Sequence, residues 1–273
     1  MSQPEPPSPP RRAWPVFAVY VGAIAAILVF TAVAVDVLTS LFPDVPDAAL
    51  LQSLPGLIAG SVAASTALLA TLLLAVRPLE PAALRLTPGW ERGRDLAVMA
   101  VGLLALGQAL DSLTALAGLD DRGTLALIRR VLAGASGAEL FAAVVVLGLA
   151  AGAAEEIFFR GFMQTRLRAQ WGPRAAVLVT SVCFAILHVD VALVHVALVF
   201  GLSLYLGFVA ETTGSALPAV VCHVVNNVVF TLQTALGGTV TDRGANAALA
   251  VAGAVVTVAC LWWVRQAASR STA

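Results

Sequence analysis

Long apolar runs separated by short polar segments are the feature that most restricts the fold of this 273-residue chain. Each run is close to 20 residues, the length that an α-helix needs to cross the hydrocarbon core of a bilayer. The runs are continuous, whereas the strands of a membrane barrel alternate between apolar and polar residues. Because a backbone in lipid must satisfy its own hydrogen bonds, each run is predicted to be a helix.

Composition agrees with a multi-pass membrane protein, since 59% of the residues are hydrophobic and only 12% are charged. The formal net charge of zero points to no particular partner, and no nucleic acid is expected. All 16 basic residues are arginine, which is typical of high-GC coding and suggests a bacterial chain. Three cysteines lie singly inside apolar runs, so they are expected to be buried thiols rather than disulfides or zinc ligands: Cys183, Cys222 and Cys260.

Hydropathy predicts an all-α bundle of about eight transmembrane helices. The predicted spans are Trp14 to Leu38, Leu54 to Val76, Leu96 to Leu119, Leu140 to about Phe159, Ala175 to Val189, Leu193 to Ala210, Leu217 to Leu236 and Ala247 to Val264. An N-in, C-in topology leaves only four arginines outside, namely Arg122, Arg129, Arg130 and Arg243. Three of them share the loop "DDRGTLALIRRVLAGASGAE", which could form an interfacial amphipathic helix.

The chain is predicted to contain a short tail and one membrane-embedded domain. Residues 1–13 are rich in proline and polar, so they are expected to be a disordered cytosolic tail. Residues 14–273 form the single domain, in the cytoplasmic membrane. The first apolar run contains a small-residue pattern, Ala32-Val33-Ala34, that resembles a signal-peptidase site, but the run is longer than the apolar part of a signal peptide. A retained first span is therefore favoured.

Ionisable residues inside the predicted spans concentrate in the second half of the chain, beginning with "GAAEEIFFRGFM". An ionisable group in a membrane span is costly and marks a functional site or a buried pair. On a helix, Glu156 and Arg160 are four residues apart with the acid first, the favourable order for an ion pair. The helical repeat turns Glu155 about 100° away from Glu156. One carboxylate can therefore be neutralised by Arg160 while the other faces elsewhere.

Two later spans carry polar pairs with the same spacing. "SVCFAILHVD" places Phe184 and His188 on one helix face, and "LPAVVCHVVNNVVF" does so for His223 and Asn227. If the three segments meet, they bring together a base, a polarising group and an amide donor. For His188 to reach the depth of Glu155, the fourth helix is expected to continue through "MQTRLRAQ" and turn at Trp171-Gly172-Pro173.

In their order and spacing these motifs resemble the CPBP group of intramembrane proteases, which includes the type II CAAX prenyl endopeptidases and proteins linked to bacteriocin self-immunity. The family pattern is Glu-Glu-x-x-x-Arg, then Phe-x-x-x-His, then His-x-x-x-Asn. The matching residues are Glu155, Glu156, Arg160, Phe184, His188, His223 and Asn227. The resemblance covers about residues 140–231, the motif-bearing core, and no motif position departs from the pattern.

The resemblance implies an intramembrane endopeptidase whose site opens toward the cytosol. By analogy, Glu155 and His188 activate the attacking water, and His223 with Asn227 stabilises the oxyanion. Glu156, Arg160 and Phe184 then support the helix geometry. Members of the family are often labelled metalloproteases, and Glu155, His188 and His223 could fill three positions of a catalytic zinc site. A metal-free Glu/His pair is slightly favoured, because Asn227 suits an amide donor better than a ligand.

Two other classes of function fit parts of the pattern. A non-catalytic membrane scaffold or immunity factor would keep the fold without the reaction, although the intact motif residues speak against this. A proton-coupled transporter also uses intramembrane glutamate and histidine, but many transporters have two related halves and this chain concentrates its polar residues in one. The expected partners are a peptide or membrane-protein substrate and the bilayer. The sequence specifies neither the physiological substrate nor the oligomeric state.

Overall fold

In a computed structural model that describes residues 12–189 and 193–271, the chain is a helical bundle without strands in that part. The helices are α1 Trp14–Leu41, α2 Asp47–Leu51, α3 Leu54–Ala75, α4 Gly93–Leu116, α5 Gly123–Leu132, α6 Gly137–Ala143, α7 Ala151–Glu156, α8 Thr165–Ile186, α9 Val194–Thr213, α10 Leu217–Ala235 and α11 Arg243–Ser271. The predicted all-α membrane fold is confirmed. The disordered tail predicted for residues 1–13 lies outside the described residues, except for its last two.

Seven of the described helical segments, rather than eight, are long and apolar enough to cross a membrane. The difference arises because the predicted fourth and fifth spans belong to one segment, Gly137–Ile186. That segment is broken at Gly172, whose φ of 78° and ψ of 172° are not helical. The rings of Phe159 and Phe184 are 4.9 Å apart, although 25 residues of straight helix would separate them by about 37 Å. The chain therefore folds back near Gly172, as the depth of His188 required.

Polar side chains and proline fix several helix ends. Ser53 caps α3 by accepting a hydrogen bond from the N–H of Gly56 at 3.3 Å. Pro218 lies in the first turn of α10, where its missing N–H leaves no carbonyl unpaired. At the end of α9, the Arg85 guanidinium donates to the carbonyl of Gly214 at 3.0 Å and to that of Ala210. The loop after α3 is thereby attached to the end of α9.

Helix α10 lies at the centre of the bundle, in contact with α4, α5, α9 and the α6–α7 region. Helix α1 packs on α3, and helix α11 packs on α4. Helices α1 and α11 carry exposed apolar side chains, such as Leu28 and Val258. Glycine lets α10 come close, because a Cβ added to Gly152 would lie 3.2 Å from the backbone N of Val224. Two core clusters of buried side chains, around Phe159 and around residues of α4 and α9, flank the polar centre described below.

The loop that was predicted to hold an amphipathic helix contains α5, which buries Leu125 and Leu132. Arg129 of α5 forms an ion pair with Asp111 of α4. Asp111 thus pairs with a neighbouring helix. Gln108 instead donates a hydrogen bond to Ser112 in its own helix, at 3.1 Å. The three cysteines are buried free thiols, as predicted.

Candidate active site

Glu155 and Glu156 are adjacent on α7 but have different surroundings. The side chains of Glu156 and Arg160 are fully buried and form an ion pair with Nη1 and Oε1 2.9 Å apart. The side chain of Glu155 is 20% exposed and lines a cavity. The two acids therefore divide as the helical repeat predicted, with one neutralised inside the protein and the other accessible.

Arg160 is held by more than its glutamate. Its Nη2 donates to the Ser203 carbonyl at 2.8 Å and to the Ser203 hydroxyl at 2.7 Å. Its guanidinium also lies 5.0 Å from the centre of the Phe184 ring, within the range of a cation–π interaction. These contacts connect Phe184, which belongs to the second motif, and helix α9 to the ion pair. Sequence reasoning missed Ser203, since a serine in an apolar helix has no motif to distinguish it.

His223 connects α10 to both glutamates. Its Nδ1 lies 2.8 Å from Oε1 of Glu156, and its Nε2 lies 3.7 Å from Oε2 of Glu155. The carboxylate of Glu156 accepts a hydrogen bond from Nδ1–H, which fixes the orientation of the ring. Nε2 then faces Glu155 and the cavity. The sequence left open whether the motifs meet, and it did not predict that Glu156 would orient His223.

His188 lies just beyond the end of α8, which stops at Ile186 rather than at Val189 as predicted. The two side chains nevertheless lie side by side, as the helical spacing predicted, since the centres of the Phe184 and His188 rings are 4.9 Å apart. Nδ1 of His188 is 3.0 Å from the Phe184 carbonyl oxygen. When this nitrogen donates to the carbonyl, Nε2 is left with a lone pair. The ring of His195 is 5.4 Å away, consistent with a packing role for that residue.

Asn227 is oriented by an irregular part of the helix that it faces. Residues Val144–Ala150 form a π-helical turn, in which the N–H of Ala151 donates to the carbonyl of Val146, five residues back. The carbonyl of Leu147 accepts a hydrogen bond from Nδ2 of Asn227 at 3.2 Å. One N–H of the Asn227 amide is occupied in this way, and the second is available to another acceptor. Such π turns are frequent at functional sites.

One small cavity of about 130 Å³ brings these side chains together. It is lined by Glu155, Phe184, His188, His223 and Asn227, together with Asn226 and four apolar residues. The four residues predicted to be catalytic thus come from three separate segments to one cavity. Phe184 is part of the wall, whereas Glu156 and Arg160 lie behind it. The apolar walls keep the dielectric constant low, which strengthens electrostatic interactions inside the cavity.

The fit of a zinc ion depends on whether three ligands converge. Within residues 12–189 and 193–271, no three His, Cys, Asp or Glu side chains lie close enough together to hold a metal ion. Glu155 and His223 approach each other at 3.7 Å, but His188 does not complete a three-ligand set with them. As placed, the residues do not fit a catalytic zinc ion, which needs three protein ligands and an open position.

The fold and the cavity define a multi-pass helical membrane protein with an acid, two histidines and an amide in a buried polar centre. Residues 137–229 match the family described as type II CAAX prenyl endopeptidase Rce1-like. The resemblance drawn from the three motifs is confirmed. At the family level, the match supports a protease that acts on peptide substrates in a membrane. No curated protein and no solved structure matches the chain.

Proposed function

We propose that the protein is an intramembrane endopeptidase in which Glu155 and His188 activate water, and His223 and Asn227 stabilise the oxyanion. The observation that carries this proposal is the shared cavity, which has a volume of about 130 Å³ and is lined by all four side chains. That volume accommodates a water molecule beside a peptide group, since water occupies about 30 Å³ in the liquid. A scaffold would not need an accessible carboxylate beside two histidines.

In the proposed reaction, the Glu155 carboxylate accepts a proton from water while Nε2 of His188 accepts a hydrogen bond and orients the same molecule. The water oxygen forms a bond to the carbonyl carbon, and the carbonyl oxygen becomes an oxyanion. Collapse of this intermediate breaks the C–N bond, and the proton on Glu155 passes to the leaving amine. The products are a carboxylic acid and an amine, which exchange a proton to give a carboxylate and an ammonium group, and Glu155 returns to its ionised form.

The oxyanion is stabilised by donors that are already in place. The free N–H of the Asn227 amide is one donor, since Leu147 occupies the other. The second donor is Nε2–H of His223 in its doubly protonated form, whose Nδ1 proton is held by Glu156. Donors that are fixed before the reaction need no reorganisation when charge develops, which is the usual basis of such sites.

A glutamine in place of Glu155 tests the proposal directly. Glu155→Gln keeps the shape of the side chain but cannot accept the water proton, so peptide cleavage should fall by about 10²-fold or more. The protein would be reconstituted in lipid vesicles, and a peptide library would be analysed by mass spectrometry. Glu139→Gln, at an exposed position of α6, is the matched control and should retain full cleavage. Equal cleavage by the two variants would contradict the mechanism.

A further inference from the structure

A second, larger cavity of about 460 Å³ lies beside the catalytic cavity, between α4, α5, α9 and α10. Leu202 and Asn226 line both cavities, so the two spaces adjoin at these side chains. The volume falls within the range of dedicated ligand pockets, about 300–1,000 Å³. Neither the three motifs nor the reaction proposed above uses this space.

One face of α10 forms a continuous wall of the larger cavity. The wall residues are Asn226, Val229, Phe230, Gln233 and Thr234. Their spacing of three, four, seven and eight residues from the first places them on one helix face, along about 12 Å. The wall begins at the catalytic cavity, and another lining residue, Thr239, is exposed at the far end. The larger cavity therefore extends from the surface of the bundle to the side chains that it shares with the catalytic cavity.

The chemistry of the walls favours a peptide over a lipid chain. Most lining residues are apolar, but uncharged polar side chains recur along the cavity: Gln108, Asn226, Gln233, Thr234 and Thr239. An extended peptide that enters an apolar space needs hydrogen-bond partners for its backbone, because each unpaired group is costly there. An acyl chain needs none. Amides and hydroxyls can both donate and accept, so they suit a backbone in extended conformation.

We propose that the larger cavity is the subsite that binds an extended apolar segment of the substrate peptide, on one side of the bond that is cleaved. At about 3.3 Å per extended residue, the 12 Å wall accommodates three to four residues. Their apolar side chains contact Val229, Phe230 and the aliphatic residues of α4, and α5 covers one side through its Arg129–Asp111 ion pair. This inference rests on the proposed function, because it places the substrate of that reaction.

Gly107 of α4 lies at the junction of the two cavities and offers a way to block it. A Cβ added at this position would lie 3.1 Å from Oδ1 of Asn226 and 3.9 Å from Cδ2 of Leu202. A leucine there would fill the junction without replacing a catalytic residue. Gly60 of α3 is a matched control, because a Cβ added to it would meet nothing within 4 Å.

The first test compares cleavage profiles on a peptide library in lipid vesicles. Gly107→Leu should lower cleavage of peptides with large apolar residues beside the scissile bond by about tenfold or more, and of peptides with glycine or alanine there by less than about threefold. Gly60→Leu should keep the wild-type profile. Phe230→Ala enlarges the cavity and should shift preference toward bulkier side chains. An equal loss for both peptide groups in Gly107→Leu, or an unchanged profile in Phe230→Ala, would overturn the subsite.

A second test does not depend on cleavage. Val229→Cys in the Glu155→Gln background places a thiol on the cavity wall, and a maleimide reagent measures its accessibility against the three buried native cysteines. A capped apolar pentapeptide should slow labelling, whereas palmitate should not. Protection by palmitate alone would assign the cavity to an acyl chain, and protection by neither would also overturn the proposal. Absence of cleavage by the wild type would contradict the proposed function instead, and labelling would still decide the subsite.

Discussion

At the residue scale, the division of labour between Glu155 and Glu156 explains why two acids stand together in an apolar segment. Glu156 accepts hydrogen bonds from Arg160 and His223 inside the protein, at 2.9 and 2.8 Å. Glu155 keeps its oxygens toward the cavity. In the proposed mechanism, Glu156 orients the histidine and Glu155 accepts the proton from water, so each function has its own acid.

Loss of the inner acid should affect stability more than loss of the outer one. Glu156→Ala leaves Arg160 buried without its carboxylate, and breaking a buried ion pair in this way typically costs about 3–5 kcal/mol. Glu155→Ala removes a partly exposed group and should cost less. Thermal unfolding in detergent measures both variants. A lower melting temperature for Glu155→Ala than for Glu156→Ala would mean that the two roles are reversed.

Replacement of Asn227 by aspartate separates an amide donor from a metal ligand. If the Asn227 N–H stabilises the oxyanion, Asn227→Asp should lose about 2.7–4 kcal/mol of transition-state stabilisation, as typically follows the loss of one such donor. An aspartate could instead serve as a zinc ligand. Kinetics would be combined with elemental analysis. Stoichiometric zinc, activity that chelation removes and zinc restores, and an active Asn227→Asp protein would together contradict the metal-free mechanism.

Sequence reasoning singled out the candidate site residues because helical periodicity makes pairs four residues apart visible. The separate faces of Glu155 and Glu156, and the Glu156–Arg160 pair, follow from the geometry of one helix. The hydrogen bonds that Ser203 and Leu147 accept do not follow from one helix, since they depend on how separate helices pack. The contact of Leu147 was hidden for a second reason, because it depends on a π-helical turn that no local signal in the sequence indicates.

At the element scale, the break at Gly172 makes the shared cavity possible, because it lets α8 return His188 to the level of Glu155. The sequence predicted this turn from the depth of the two residues, but the eight predicted spans assumed two separate helices. The chain instead stays helical through Trp171 and departs from helical angles only at Gly172. Hydropathy registers where a run becomes polar, not where the backbone changes direction.

A side chain at position 172 should destabilise the bundle. The backbone angles of Gly172 belong to a region that is essentially restricted to glycine, and such a conformation costs other residues about 1–3 kcal/mol. Gly172→Ala should therefore lower the melting temperature in detergent. Gly60→Ala, in the interior of a helix with open space around it, should be neutral or stabilising. Equal stability of the two variants would show that the break tolerates other residues.

At the scale of the whole molecule, the turn determines where the chain ends lie. Seven candidate spans, one of which folds back on itself, correspond to eight passes, so both termini are expected on the same side. The distribution of arginine predicts that this side is the cytosol.

Reporter fusions test the predicted orientation. A reporter that is active only in the cytosol, fused after residue 273, should be active, whereas the same reporter inserted between Asp120 and Asp121 should not. Both fusions would be compared at equal protein levels in membranes. Activity of the internal fusion together with silence of the C-terminal one would invert the topology.

The buried guanidinium of Arg160 also has a consequence for biosynthesis. Its hydrogen-bond partner Ser203 follows it by 43 residues, and His223, which shares its glutamate, follows Glu156 by 67. The segment that carries Arg160 is synthesised before α9 and α10, so it reaches the translocon without these partners. An arginine in lipid is costly in that interval, so the nascent segment must wait at the translocon or beside a chaperone. Chains released before Ser203 should therefore be recognised and degraded by membrane quality control.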